Sequence, residues 1–287
     1  MSLFFQQILN GLTLGSVYAL VALGLTLVYG ILHIPNFSHG ALFMIGAYAA
    51  FLFAGTFGAN YWVALVGSAA VTAAIAVLTE RFVFSRLRDS PPLHDMIAAI
   101  GLLLFFEAVA QAIWGADFHR LAPPFPGILR AGGVVLPIQR VLIIGGAIGL
   151  MIALHLFLRK TVTGSTIVAM AQNREGASLV GIDLTRVSML TFAMAGALAA
   201  VAAVLFVPIN LISPGMGNLV ILKAFVIIIL GGMGSVPGAI IGGMVIGFAE
   251  SFGAFYISTD MKDIIAFALL VLILSVRPQG LFPSPAR

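Results

Sequence analysis

Residues Gly164 to Arg186 read GSTIVAMAQNREGASLVGIDLTR, a mostly polar interval set between two long apolar runs. Its middle predicts a short helix. Asn173 can act as N-cap, and Glu175 falls in the first turn, where a carboxylate suits the positive end of the helix dipole. Gly181 follows the apolar pair Leu179 and Val180, as a C-terminal glycine would. About two turns of helix are marginal in water, because nucleation is costly and few hydrogen bonds follow it, so the segment is expected to pack on its own bundle or on a partner. A mere tether would be Gly, Ser and charge. Here Ile167, Met170, Leu179, Val180 and Ile182 are interleaved with Ala171, Ala177 and Ser178, and such a mixture at the water interface suggests a fitted surface.

The rest of the chain is oily. Of its 287 residues, 61% are hydrophobic and 8% charged, against about a quarter charged in a soluble domain. This composition predicts an all-α, polytopic integral membrane bundle with a single transmembrane domain over residues 1–287. The formal charge of +4 comes from basic residues spread over short loops beside apolar spans. That pattern serves orientation in a membrane and gives no reason to expect nucleic acid. The absence of cysteine rules out disulfides, a thiolate nucleophile and Cys-ligated metal. The start, MSLFFQQILNGLTLGS, has no basic region, and the apolar run after it is too long for a typical cleaved signal, so it is expected to remain as the first span.

A crossing needs about 20 apolar residues. Ile8 to Tyr29 supplies one and ends at Ile31 to Gly40, where Pro35 removes a backbone donor and Asn36, Ser38 and His39 can satisfy the freed groups. Ala41 to Phe53, Tyr61 to Leu78, Met96 to Trp114, Val141 to Leu158 and Val187 to Val207 follow as further runs. Asp117 to Gln139, rich in Pro and Gly, predicts an irregular or hairpin-forming external segment. Leu219 to Leu230 is a half-length run ending in GGMGSVPG, with Gly231, Gly232, Gly234 and Gly238 as helix-break glycines; Ala239 to Phe255 and Ile264 to Val276 complete the set. Eight or nine crossings are expected, some broken. HGALFMIGAYAAF from His39 and PGAIIGGMVIGF from Pro237 echo one another, which raises the possibility of an internal repeat. The Glu80 to Asp95 loop, the Arg159 to Arg186 interval and the carboxyl tail hold nine of the fourteen Lys and Arg residues, which assigns all three to the cytoplasm.

Catalytic patterns are missing from the sequence. No glycine run is followed by Lys and Ser or Thr as a P-loop requires, and the five histidines are scattered without metal-ligand spacing. The chain is therefore expected to be no enzyme, with no catalytic, metal or cofactor-binding residues. Ionisable groups at membrane depth are costly and usually face a bundle interior or a wet cavity. Glu107, Lys223 and Glu250 meet that description, and they suggest an outward vestibule for a charged or zwitterionic solute, with Glu107 and Lys223 as a possible pair. Asn36, Ser38, His39 and Gly40 at the first break are further pathway candidates, since helix ends at depth either bind polar ligand groups or act as hinges.

Several stretches are similar to one family. NGLTLGSVYALVALGLTLVYGILHIPNFSHGALFMIGAY, ASLVGID, GGMGSVPGAIIGG and RPQGLF, spread over nearly the whole chain, resemble the permease subunits of bacterial ABC importers for branched-chain amino acids, the LivH-like member of the LivH/LivM pair. The resemblance implies a homologous LivM-like permease subunit, two cytoplasmic ATP-binding cassette subunits that hold ATP and Mg, and an external solute-binding protein. It also implies the bacterial inner membrane, with the carboxyl terminus cytoplasmic, and alternating access driven by the ATPases. The polar interval then looks like the coupling helix, carried by Asn173, Arg174, Glu175, Ala177, Ser178, Leu179 and Gly181. EGASLVG resembles a shortened EAA loop and departs from it at Gly176, where alanine is more usual. The same architecture could carry urea, short amides or an aromatic acid. An ion-coupled secondary transporter is the other alternative, and the scarcity of intramembrane acids counts against it.

Overall fold

The computed structural model describes residues 2–33, 35–88, 90–131 and 134–282. Its helices are α1 (Ser2–Leu32), α2 (Ser38–Ala50), α3 (Tyr61–Thr79), α4 (Ser85–Leu87), α5 (Pro92–Trp114), α6 (Ile138–Lys160), α7 (Val162–Gln172), α8 (Arg174–Leu179), α9 (Leu184–Phe206), α10 (Met216–Gly231), α11 (Val236–Tyr256) and α12 (Lys262–Val276). Among the described residues seven helices are long and apolar enough to cross a membrane, and the shorter α10 and α12 accompany them. The chain is a multi-pass membrane protein. Each apolar run expected from the sequence became a helix, usually extended by a few residues, because a backbone in lipid must close its own hydrogen bonds to the end of the span. Among the described residues, the Pro- and Gly-rich segment between α5 and α6 holds one antiparallel strand pair, β1 (Ile128–Ala131) with β2 (Val134–Pro137), in register Leu129 to Leu136.

The bundle is built around α1, which is buried nearly all round and packs along α11, α9, α6 and α10. A helix apolar on every side belongs in the middle of a bundle, and Val17 to Leu25 fit that place without a polar stripe. Small residues set its distance from α11. A Cβ on Gly247 would fall 2.3 Å from the Gly15 nitrogen, so these two helices touch backbone to backbone. A second seam joins α3 to α9: Thr72 and Ala76 face Gly196, and Phe84 packs on Phe192 with ring centroids 5.4 Å apart. By contrast α5 is the least buried of the long helices and turns Ile97, Leu104 and Phe105 outward.

Two helices change pitch. Phe51–Thr56 after α2 and Glu80–Phe84 after α3 are π-helical. Such turns rotate the following side chains and often occur at functional positions. In the second case the change buries both Glu80 and Phe84.

The backbone contact between Gly15 and Gly247 leaves no room for a side chain. Gly247→Ala is expected to lower thermal stability in detergent by about 1–3 kcal/mol through overpacking. Gly145→Ala, on a helix position with nothing near its added Cβ, should be neutral or slightly stabilising. Equal unfolding temperatures for the two variants would refute the packing assignment.

Candidate functional site

The polar interval folds as two helices rather than one. Its first part, α7, turns Gly164, Ile167 and Met170 into the bundle. Ile167 and Met170 therefore serve the protein's own core, which corrects the expectation that they form part of a fitted external surface. A Cβ at Gly164 would sit 2.1 Å from the Phe157 carbonyl oxygen, so α7 folds tightly back on α6. The second part, α8, has the expected local form: Asn173 Oδ1 accepts from the Gly176 amide at 2.8 Å, and Glu175 lies in the first turn. Gly181 takes φ +84, and the Ile182 amide reaches back to the Ala177 carbonyl at 3.1 Å, closing the helix as a left-handed C-terminal residue does. Ala177 is buried beneath α8, while Leu179 and Val180 are 87% and 77% exposed. Arg174 and Ser178 lie on the same short helix, and the Ser178 hydroxyl bonds back to the Glu175 carbonyl at 2.7 Å.

Directly after α8, Asp183 Oδ1 accepts from the Thr185 and Arg186 amides, both at 3.1 Å, and starts α9. On the next turn of α9 is a buried charge cluster that sequence reasoning missed. Glu80, 1% exposed, accepts from Arg88 Nη2 at 2.8 Å and from Ser188 Oγ at 2.6 Å. Arg88 also donates to Thr185 Oγ1 at 3.3 Å. These bonds tie the base of α3 to the start of α9. The one sequence signal was a lone glutamate at the edge of an apolar run, read only as part of a basic loop.

A cavity of about 730 Å³ lies between the end of α1, α7 and the turn before α11, with Tyr29, Ile167, Gln172 and Gly234 in its wall. That turn contains the helix-break glycines. Gly232 and Gly234 have φ +102 and +82, and Gly231 and Gly238 approach so closely that a Cβ on either would lie 2.2 Å from the other's carbonyl oxygen. Ser235 caps α11 at Gly238, 3.2 Å away, and the tail returns to finish α10, with Leu281 and Phe282 amides on the Leu230 and Gly231 carbonyls at 2.8 and 3.0 Å.

The first-break candidates are packed inside the protein and line neither of the two cavities described. Asn36 Oδ1 accepts from the Ser38 amide at 3.1 Å and from its hydroxyl at 2.6 Å, so it opens α2. His39 Nε2 lies 3.1 Å from the Val21 carbonyl, and Gly40 abuts Gly217 of α10.

The opposite end of α9 borders a cavity of about 600 Å³ set among α1, α6, α10 and α11. Lys223 and Glu250 line it. Lys223 Nζ is 2.9 Å from Glu250 Oε2 and 2.9 Å from Asp263 Oδ1, and it donates to the Tyr18 hydroxyl at 3.0 Å; that hydroxyl donates to Glu250 Oε2 at 2.8 Å. The expected pairing of Lys223 with Glu107 is therefore wrong. Glu107 accepts instead from Asn218 Nδ2 at 3.0 Å. Lys223 sits about one and a half helical turns beyond Asn218 on α10, and α11 and α12 bring nearer carboxylates to it.

The sequence matches the family model for "Branched-chain amino acid transport system / permease component" over residues 7–274. The chain belongs to this family. It is 37% identical to the high-affinity branched-chain amino acid transport system permease protein BraD of Pseudomonas aeruginosa, over 98% of this chain and 96% of that one. It is 37% identical to the corresponding LivH protein of Escherichia coli, with the same coverage of both chains. A solved chain from a metal-chelate type ABC transporter in an inward-facing conformation is similar in fold, with a TM-score of 0.51 at 14% identity, covering 95% of this chain and 85% of that one.

Removing one partner of a buried ion pair strands the other. Lys223→Met is expected to destabilise the permease by about 3–5 kcal/mol, because Glu250, 2% exposed, loses its cation. Adding Glu250→Gln should recover part of that loss. Thermal unfolding of the single and double variants checks the coupling, and purely additive losses would disprove it.

Proposed function

We propose that the chain is the membrane-spanning permease subunit of an ATP-driven importer that moves branched-chain amino acids by alternating access. Family membership and relatives named for this transport support the reading. The observation that carries the mechanical part is α8: a short capped helix, anchored by Ala177, that offers Leu179 and Val180 to the outside of the bundle. Its occupant is an apolar groove on a separate ATPase. Arg174, Glu175 and Ser178 form the polar surround, and Asn173 and Gly181 hold the helix ends.

The chain has no P-loop, so in this reading two partner ATPases hold ATP and Mg. A homologous permease completes the passage, and an external binding protein delivers solute. The setting is the bacterial cytoplasmic membrane, with α8, the Glu80–Arg88 cluster and the tail on the cytoplasmic side, where the basic loops lie. A push on α8 passes through the tight Gly181 turn to α9. The Glu80 cluster and the Phe84–Phe192 contact then carry α3 with it. Nucleotide need only bias two arrangements that differ by a modest free energy.

Leu179→Asp removes an apolar anchor worth about 1.5–3 kcal/mol, roughly tenfold or more in affinity. Co-purification of the ATPases and ATP-dependent leucine uptake should fall by at least about tenfold, with membrane insertion retained. Asn173→Ala, which costs the cap about 1 kcal/mol, should give a smaller loss. Full ATPase retention and uptake in Leu179→Asp would defeat the docking assignment.

A further inference from the structure

The outward face of α3, from Trp62 to Leu78, and that of α6, from Val141 to Leu156, hold only apolar residues, as contact with lipid tails requires. The outward face of α5 differs. This helix buries the line Asp95, Ala99, Leu103 and Ala110. On its other side it carries Leu93, Ile97, Ile100, Leu104, Glu107 and Gln111, with Glu107 half-buried and the rest exposed. These positions recur at alternate steps of four and three, the spacing at which one helix seats against another along a seam. The seam is apolar until its last two positions, which are polar.

Lipid tails cannot serve those two side chains. Glu107 lies within the span Pro92–Trp114, about 10 Å short of its Trp114 end. A carboxylate can accept at about four sites, and among the described residues Glu107 has one donor, Asn218 Nδ2 at 3.0 Å. The Gln111 side chain makes no hydrogen bond among the described residues; its backbone carbonyl alone is engaged, by the Gly115 amide at 2.9 Å. Hydrocarbon offers neither donor nor acceptor, so both side chains are matched to a polar group from another molecule at membrane depth.

The length of the seam narrows the kind of molecule. From Leu93 to Gln111 it runs about 27 Å, close to the roughly 30 Å of the hydrocarbon core, so its occupant also crosses the membrane. A soluble ATPase or an external binding protein does not. Of the partners in the reading above, the second permease alone spans the bilayer.

We propose that this face of α5 seats the second, homologous permease subunit, which lays an apolar helix along Leu93 to Leu104 and sets hydrogen-bonding side chains against Glu107 and Gln111. The inference rests on the permease reading above and adds to it the surface at which the two permeases meet. The apolar positions provide close packing. The polar pair fixes the register, because a helix slipped by one turn leaves Glu107 and Gln111 unpaired.

Photo-crosslinking in the complete transporter tests the assignment. In native membranes p-benzoylphenylalanine is placed at Leu104 and, in separate samples, at Val66 of α3 and Ile152 of α6, exposed positions on the two apolar faces. Illumination at Leu104 should give an adduct with the mass of two permeases, containing peptides of this chain and of the homologous subunit by mass spectrometry, and the other two positions should give none. Gln111→Leu should lower the amount of second permease retained through detergent purification about threefold, the worth of one interhelical hydrogen bond in a membrane, whereas Ile152→Ala should leave it unchanged. An adduct joining two copies of this chain, equal capture from Val66 or Ile152, or full retention in Gln111→Leu overturns the inference. If a complex that holds both permeases and imports leucine with ATP gives no permease adduct at Leu104, the face belongs to lipid and the permease reading stands. If the chain purifies with neither an ATPase nor a second permease, the permease reading falls and takes the interface with it.

Discussion

In a bilayer no water is available to a backbone group whose helix has ended, so each interruption of a span must be completed by the protein itself. This fold depends on that constraint. Three breaks interrupt its spans, and each is closed differently. After α1, the Asn36 side chain takes up the Ser38 amide. Between α9 and α10, the Ile212 backbone pairs reciprocally with His119 of the segment after α5, at 2.9 Å in both directions. Between α10 and α11, Ser235 caps one helix and the returning tail completes the other. The tail residues RPQGLF thus act in part as a backbone patch for a distant helix.

Closing the breaks lets short helices sit beside long ones without exposed backbone, and this placement creates the two cavities. One opens beside α7 and the glycine turn, the other between α1, α6, α10 and α11. They lie at opposite ends of α1, whose first turns border one and whose last turn borders the other. Alternating access requires openings of this kind on either side of a barrier, and the tightly packed middle of α1, with His39 and Gly40 against it and α10, supplies the barrier within this chain.

The two buried charge clusters have different surroundings. The Glu80 cluster is sealed among α3, α9 and the loop after it, with every named partner on this chain, and it stiffens the connection from α8 into the bundle. The Lys223 cluster, with Glu250 and Asp263, borders open volume that Lys262 also lines. In both clusters removal of one partner would strand a buried charge.

Much of this protein was legible before any coordinates. The apolar runs announced their helices because lipid admits little else, and Asn173, Glu175 and Gly181 announced α8 because capping chemistry is local. The strand pair in the Pro- and Gly-rich segment between α5 and α6 was legible for the same reason. The partners of Lys223 were not. Which carboxylate lies beside an ammonium depends on how α10, α11 and α12 pack, and Glu107 was as plausible by composition as Glu250 and Asp263. Ile167 and Met170 looked available for docking until α7 folded back at Gly164 and buried them. The sequence by itself determined a membrane bundle, its breaks and the short capped helix α8, since propensity, hydropathy and capping act over a few residues. Only the tertiary structure decided which charges meet and where the cavities lie, since those follow from contacts between residues as far apart as Tyr18 and Glu250.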